Sequence, residues 1–232
     1  MMIRHLLISC ASLALATAAS AADKSWMIEN FESISVGGSH DVIVTTGKSQ
    51  RVVATGDQDA LDQLDVEVRG RTLKIETRSD GSGWLPWSSG NGRVRIEVTV
   101  PVLTEARLGG SGDMAISMMK GEDITLSLSG AGDMSVGRIE AENVKLSIAG
   151  SGDMVVNGIC RTATYKIAGS GMLDASRLDC KSLDASVAGS GDIAASATEA
   201  AKVSVAGSGD VDITGGAKCE TKVAGSGRVN CG

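Results

Sequence analysis

From about residue 33 onward, apolar and polar residues alternate along the chain, and the alternation itself repeats. A Gly-(Ser/Ala)-Gly tripeptide begins at Gly110, Gly130, Gly150, Gly169, Gly189, Gly207 and Gly225, at intervals of 20, 20, 19, 20, 18 and 18 residues. Two residues before each first glycine stand Leu108, Leu128, Ile148, Ile167, Val187, Val205 and Val223. Four residues after it stand Met114, Met134, Met154, Leu173, Ile193, Val211 and Val229. Alternation on both sides of a glycine turn describes two short strands that bury one face. A hairpin meander also alternates, but it does not return the same residue class to the same place every coil. Stacked coils do, because each position lies about 4.8 Å above its equivalent. The pattern predicts an all-β, single-stranded parallel β-helix (β-solenoid) with coils of 18–20 residues, its seven turns rising roughly 30 Å.

Finer features follow from the same register. Met119, Ile139, Ile159 and Leu178 mark a third inward corner. The 18-residue coils lack it, which predicts a taper toward the C-terminus. Gly38-Ser39-His40-Asp41 reads as a degenerate first turn, with His40 an exposed turn residue where later coils have Gly. Irregular coils are expected between it and Gly110, with strands at Val66/Val68, Leu73/Ile75 and Val94–Val100 and a short helix over 58–64. A Gly/Ser-rich excursion over 79–92 carries Trp84-Leu85-Pro86-Trp87. One domain is expected over 22–232, irregular over 30–108 and regular over 109–232.

Residues 1–21 have a short positive start, an apolar middle and an Ala19-Ser20-Ala21 end, the pattern of a secretory signal peptide. Leu7-Ile8-Ser9-Cys10 also resembles a lipoprotein cleavage box, but the apolar stretch runs on past Cys10. No later segment is apolar enough to span a bilayer as a helix, so the mature chain is expected to carry no transmembrane segment. An exported chain with four remaining cysteines favours disulfides. Cys160 and Cys180 each stand nine residues before a first glycine, on consecutive rungs of one column. Cys219 and Cys231 flank Gly225 by six residues on either side, both expected to point inward. The pairs Cys160–Cys180 and Cys219–Cys231 are predicted.

Composition narrows the function classes. The chain holds 30 glycines and only five aromatic residues, so its core is aliphatic and the glycine excess belongs to the turns. Its net charge of −6 without a basic run excludes nucleic acid as a partner. Beyond the signal segment His40 is the one histidine, too few for a histidine-rich metal centre.

The recurring Ser-Gly-Ser-Gly-Asp coils follow Ile34-Ser35-Val36, Asp41-Val42-Ile43-Val44, Leu73-Lys74-Ile75 and Val98-Thr99-Val100-Pro101. This order resembles the bacterial "putative auto-transporter adhesin, head GIN domain" proteins over roughly residues 30–231. The resemblance implies an exported β-helix-like domain and supplies no catalytic residues.

Two candidate sites remain. Asp113, Asp133 and Asp153 stack in one column, continued by Asp192 and Asp210 and broken by Met172. Such carboxylates form either a calcium ladder or a set of acceptors for turn N–H groups; calcium is the only cofactor the sequence suggests. Trp84 and Trp87 form either a patch for a glycan or other envelope ligand or a lid over the N-terminal coils. The leading expectation is a non-enzymatic binding or adhesion module of the cell envelope, in the periplasm, on the surface or secreted. The alternatives are a polysaccharide-active β-helix enzyme using the aspartate column and a purely structural envelope protein.

Overall fold

A computed structural model describes residues 22–78 and 94–232. The first half contributes β1 (Ala22–Trp26), β2 (Ser33–Gly38), β3 (Asp41–Thr46), β4 (Arg51–Gly56), α1 (Gln58–Asp62), β5 (Leu64–Arg69), β6 (Thr72–Thr77), β7 (Arg95–Val100), β8 (Glu105–Gly110) and β9 (Met114–Ile116). Longer strands follow: β10 (Met119–Gly130), β11 (Met134–Gly150), β12 (Met154–Gly169), β13 (Met172–Gly189) and β14 (Asp192–Gly207). The last coils are β15 (Val211–Thr214), β16 (Lys218–Gly225) and β17 (Val229–Cys231). The stacked parallel coils make a β-solenoid of about six turns, bounded by the seven glycine motifs.

Registration between coils is what fills the lumen. Leu126 lies over Leu146, Leu146 over Tyr165, Tyr165 over Ala185 and Ala185 over Val203. Leu128, Ile148, Ile167, Val187 and Val205 form a second ladder, all buried. Tyr165 is the largest side chain of the first ladder, and small residues make room for it: Ala185 lies on the next rung and Ala163 two residues back on the same face. Its hydroxyl is buried without a hydrogen-bond partner, and burial pushes the phenol well above its ordinary pKa.

The turn is tight because its backbone stacks directly on the backbone below. The N–H groups of Ser111, Ala131, Ser151, Ser170, Ser190, Ser208 and Ser226 donate to the carbonyls of Gly38, Gly110, Gly130, Gly150, Gly169, Gly189 and Gly207. Gly150 holds φ at 136°, and a Cβ there would strike the Gly130 carbonyl. That position requires glycine twice over, by conformation and by space.

The coils do not stack in chain order at the N-terminal end. β2 lies between β6 and β8, and β3 between β7 and β9. The coil of residues 33–46 therefore sits directly on the first regular coil, with the later strands β6 and β7 beneath it. The strands expected around Val66/Val68, Leu73/Ile75 and Val94–Val100 are present as β5, β6 and β7; their order in the stack is what the repeat did not reveal. Parallel stacking extends down to β6 and β7, since β2 with β6 and β8 and β3 with β7 and β9 are all parallel pairs. Below that point β5 pairs antiparallel with β6, β4 with β7 and β1 with β4. These short antiparallel strands end the sheet stack without presenting a parallel edge. α1 is the predicted helix, ended two residues early; Asp57 caps it by accepting the Asp59 N–H, and Leu61 enters the core.

The third corner is buried at Met119, Ile139 and Leu178, but Ile159 is 53% exposed. The 19-residue coil is one residue short here. Gly158, with φ 138°, takes the place opposite Ile139, and Ile159 shifts outward beside Glu140. The taper is present: between Ala175 and Asp179 the register jumps directly to Ala195 and Ser196, leaving Leu178 unmatched. At the far end Cys219 is half-buried and Cys231 exposed, with no coil over them among the described residues, so neither is enclosed as expected.

Candidate functional site

Strand alternation decides what the solenoid shows to its surroundings. On β3, β9, β11 and β12 the inward residues are Val42/Val44, Met114/Ile116, Met134/Val136 and Met154/Val156. The outward residues between them, Ile43, Ala115, Ser135 and Val155, lie side by side in register. Ala115 and Ser135 are short and the flanking Ile43 and Val155 are long, so the face sinks into a trough two rungs wide. One residue pair further along, Thr45, Ser117, Gly137 and Asn157 continue it. Two adjoining open depressions of about 530 and 310 Å³ lie along this trough and share Ile43, Ala115, Ser135 and Val155. Walls and floor come from four separate strands, and only the out-of-order stacking of residues 33–46 brings Ile43 beside Ala115.

The aspartate column forms one rim of the trough. Asp113 Oδ1 accepts the Asp133 N–H at 3.0 Å, Asp133 Oδ1 the Asp153 N–H at 3.0 Å and Asp153 Oδ1 the Met172 N–H at 2.8 Å. Asp192 and Asp210 repeat the bond to Asp210 and Arg228, at 2.8 and 2.9 Å. Each carboxylate thus ties its own rung to the next. Met172 offers no acceptor, and the Asp192 N–H turns to the Gly171 carbonyl at 3.3 Å. Among the described residues no group of three His, Cys, Asp or Glu side chains is placed to hold a metal ion.

His40 lies in the turn between β2 and β3. It is only 8% exposed, and its Nε2 lies 2.8 Å from Thr77 Oγ1, which corrects the expectation of an exposed turn residue. A Cβ at Gly112 would strike the His40 backbone, while the His40 side chain itself turns to Thr77 at the end of β6. Burial lowers its imidazole pKa, against a smaller opposing pull from Asp41. The folded chain therefore holds it neutral. As pH falls below about 6.5 the unfolded chain protonates first, so the stability contributed by neutral His40 is complete above that value and is lost on acidification. The melting temperature is expected to stay level from about pH 8 to 7 and to fall from about 6.5 toward 5, a fall that His40→Gln reduces.

A second depression of about 600 Å³ lies on the third side, beside the exposed Ile159 and Cys160. Its charges are already paired, with Lys120 3.2 Å and Arg138 2.7 Å from Glu140 and Arg161 3.9 Å from Glu142. Hydrogen bonds from Arg138 and Lys120 hold the Glu140 carboxyl below its ordinary value. Both predicted disulfides are present; the Cα atoms are 4.6 Å apart in Cys160–Cys180 and 6.6 Å in Cys219–Cys231. Trp84, Trp87 and the signal segment lie outside the described residues. The chain that carries the tryptophans leaves after Arg78, whose N–H donates to the Gln63 carbonyl, and returns at Val94, whose carbonyl accepts the Asp41 N–H.

The family described as "putative auto-transporter adhesin, head GIN domain" matches residues 30–217. The chain belongs to this family. Solved structures agree with the assignment at the level of the fold. A putative adhesin from Bacteroides fragilis NCTC 9343 aligns with a TM-score of 0.83 at 21% identity, over 92% of this chain and 98% of that one. A putative lipid binding protein from Parabacteroides distasonis ATCC 8503 aligns with a TM-score of 0.72 at 25% identity, over 91% of this chain and 96% of that one. A putative adhesin from Parabacteroides merdae ATCC 43184 gives 0.71 at 19% identity, over 91% and 96%. No curated protein matches the chain. Among the described residues no helix is long and apolar enough to cross a membrane.

Proposed function

We propose that this adhesin-family chain is an exported, non-enzymatic binding module of the cell envelope whose ligand lies in the trough between Ile43 and Val155. The observation that carries the reading is the in-register row Ile43–Ala115–Ser135–Val155, an apolar-walled concavity on a rigid face rimmed by polar groups, the usual character of a ligand site. Catalysis finds less support. The aspartates repeat one environment and accept backbone N–H groups, whereas glycosidase pairs need two contrasting carboxylates. The one described histidine is buried and bonded to Thr77. Two disulfides suit an oxidising compartment, in keeping with the signal segment read over 1–21.

Two ligand classes compete. A glycan is the class suggested by Trp84 and Trp87, and a lipid chain is the class suggested by the relative named for lipid binding. The aspartate column serves the fold in this reading, so calcium is not required at Asp113, Asp133 or Asp153. A glycan array and vesicles of mixed bacterial lipids, each probed with the protein and with Ser135→Arg, separate the cases. Ser135→Arg fills the floor from outside the core, so it is expected to leave the melting temperature unchanged and to abolish binding to one of the two probes. Binding that survives Ser135→Arg but not the Trp84→Ala/Trp87→Ala pair moves the site to the tryptophans. Turnover of a polysaccharide replaces this reading with the enzymatic one.

A further inference from the structure

The two ends of the solenoid differ. The N-terminal end is finished by antiparallel strands and α1, while β16 and β17 pair only with β14 and β15 behind them. Their outer row of backbone N–H and C=O groups meets no further strand among the described residues, the arrangement that templates pairing with another chain. The side chains register the same break. Val223 is 46% exposed, whereas its equivalent one coil back, Val205, is 1% exposed.

We infer that this edge docks a second copy of the chain, with β16 antiparallel to the partner's β16 across a two-fold axis at Thr221. The charge pattern selects the register. Lys218, Glu220, Lys222 and Ala224 alternate on the outer face of β16. Pairing centred on Glu220 opposes Glu220 to the partner's Glu220 and Lys218 to the partner's Lys222, which is like against like and destabilising. Pairing centred on Thr221 places Glu220 against the partner's Lys222, and by symmetry Lys222 against the partner's Glu220. The same register sets Val223 opposite the partner's Cys219 on the inner face, covering the valine that the open end exposes. A two-fold contact of this kind closes on itself and yields a dimer rather than a filament. The opposite end lacks a matching parallel edge, because its terminal strands β1 and β5 run antiparallel to their neighbours.

Sedimentation equilibrium of the purified protein over a concentration series tests this. A concentration-dependent dimer is expected. Lys222→Glu makes both cross-strand pairs repulsive and raises the dimer dissociation constant about tenfold or more. Lys222 lies beside Ser204 on the rung behind it, so the change leaves the monomer's melting temperature unaltered. The swap Glu220→Lys/Lys222→Glu restores both pairs and recovers part of the affinity; recovery is incomplete because position 220 also lies beside Lys202. A monomer at every concentration, a dimer indifferent to Lys222→Glu, or a swap with no recovery overturns the inference.

Discussion

Gly152→Ala is expected to be among the most damaging single-methyl substitutions in this chain, leaving little or no soluble protein. A Cβ at position 152 would strike the Gly132 carbonyl, and it would come within 3.1 Å of Leu128 Cδ2. The carbonyl belongs to the stacked turn below and cannot swing aside, because that turn is itself held between its neighbours. The coil has to lift off its neighbour, which strains the strand pairing and core contacts on both sides, a cost above about 4 kcal/mol. Gly121→Ala provides the control. Its nearest neighbours are Thr104 Cγ2 at 3.4 Å and Ile124 Cδ1 at 3.5 Å, both ends of side chains. The next coil already carries Ala141 in that column. Gly121→Ala should change the melting temperature little, and urea unfolding of the pair of variants measures the contrast directly.

Removing the inter-coil disulfide has the second-largest expected effect. Cys160 and Cys180 are 20 residues apart in sequence and directly opposed on neighbouring rungs, so the bond closes one whole coil. Closing a loop of that length restricts the unfolded chain by about 3 kcal/mol. Cys160→Ala/Cys180→Ala should lose about that much stability, with a further contribution from the space left around buried Cys180. Cys219→Ala/Cys231→Ala should behave differently although its loop is of similar order. Cys219 is half-buried and Cys231 exposed at the open end, so local fraying of β16 and β17 precedes global unfolding. Amide exchange resolves the two: the first variant loses protection throughout β10–β14, the second mainly in the last coil.

The residues that made the regular coils legible are those whose neighbours are set by the repeat. Leu126, Leu146 and Val203 occupy one column because each coil copies the one before it, and Cys160 opposes Cys180 for the same reason. Where a coil departs from the copy, periodicity fails. Ile159 reads as inward only if every coil has equal length; the missing residue moves Gly158 into its place. His40 reads as exposed because a histidine in a glycine column looks like a surface substitution, and nothing in the repeat marks Thr77 as its partner. The trough was hidden for a different reason. Ala115, Ser135 and Val155 are ordinary outward residues of the repeat, and nothing in the sequence ranks their sizes as a site. Its other wall, Ile43, belongs to a coil that precedes β6 and β7 in the chain but lies above them in the stack.

That stacking order is what the proposed site depends on, and paired cysteines test it most directly. Adjacent strands place opposed Cα atoms about 4.8 Å apart, within disulfide reach. Ile43→Cys/Ala115→Cys should cross-link on mild oxidation, identified by mass mapping of the 43–115 peptide pair, because Ile43 opposes Ala115. Glu97→Cys/Ala115→Cys should remain reduced, because β3 separates β7 from β9. Efficient bonding of position 97 to position 115, with none between 43 and 115, would show coils stacked in chain order and would remove the trough's Ile43 wall.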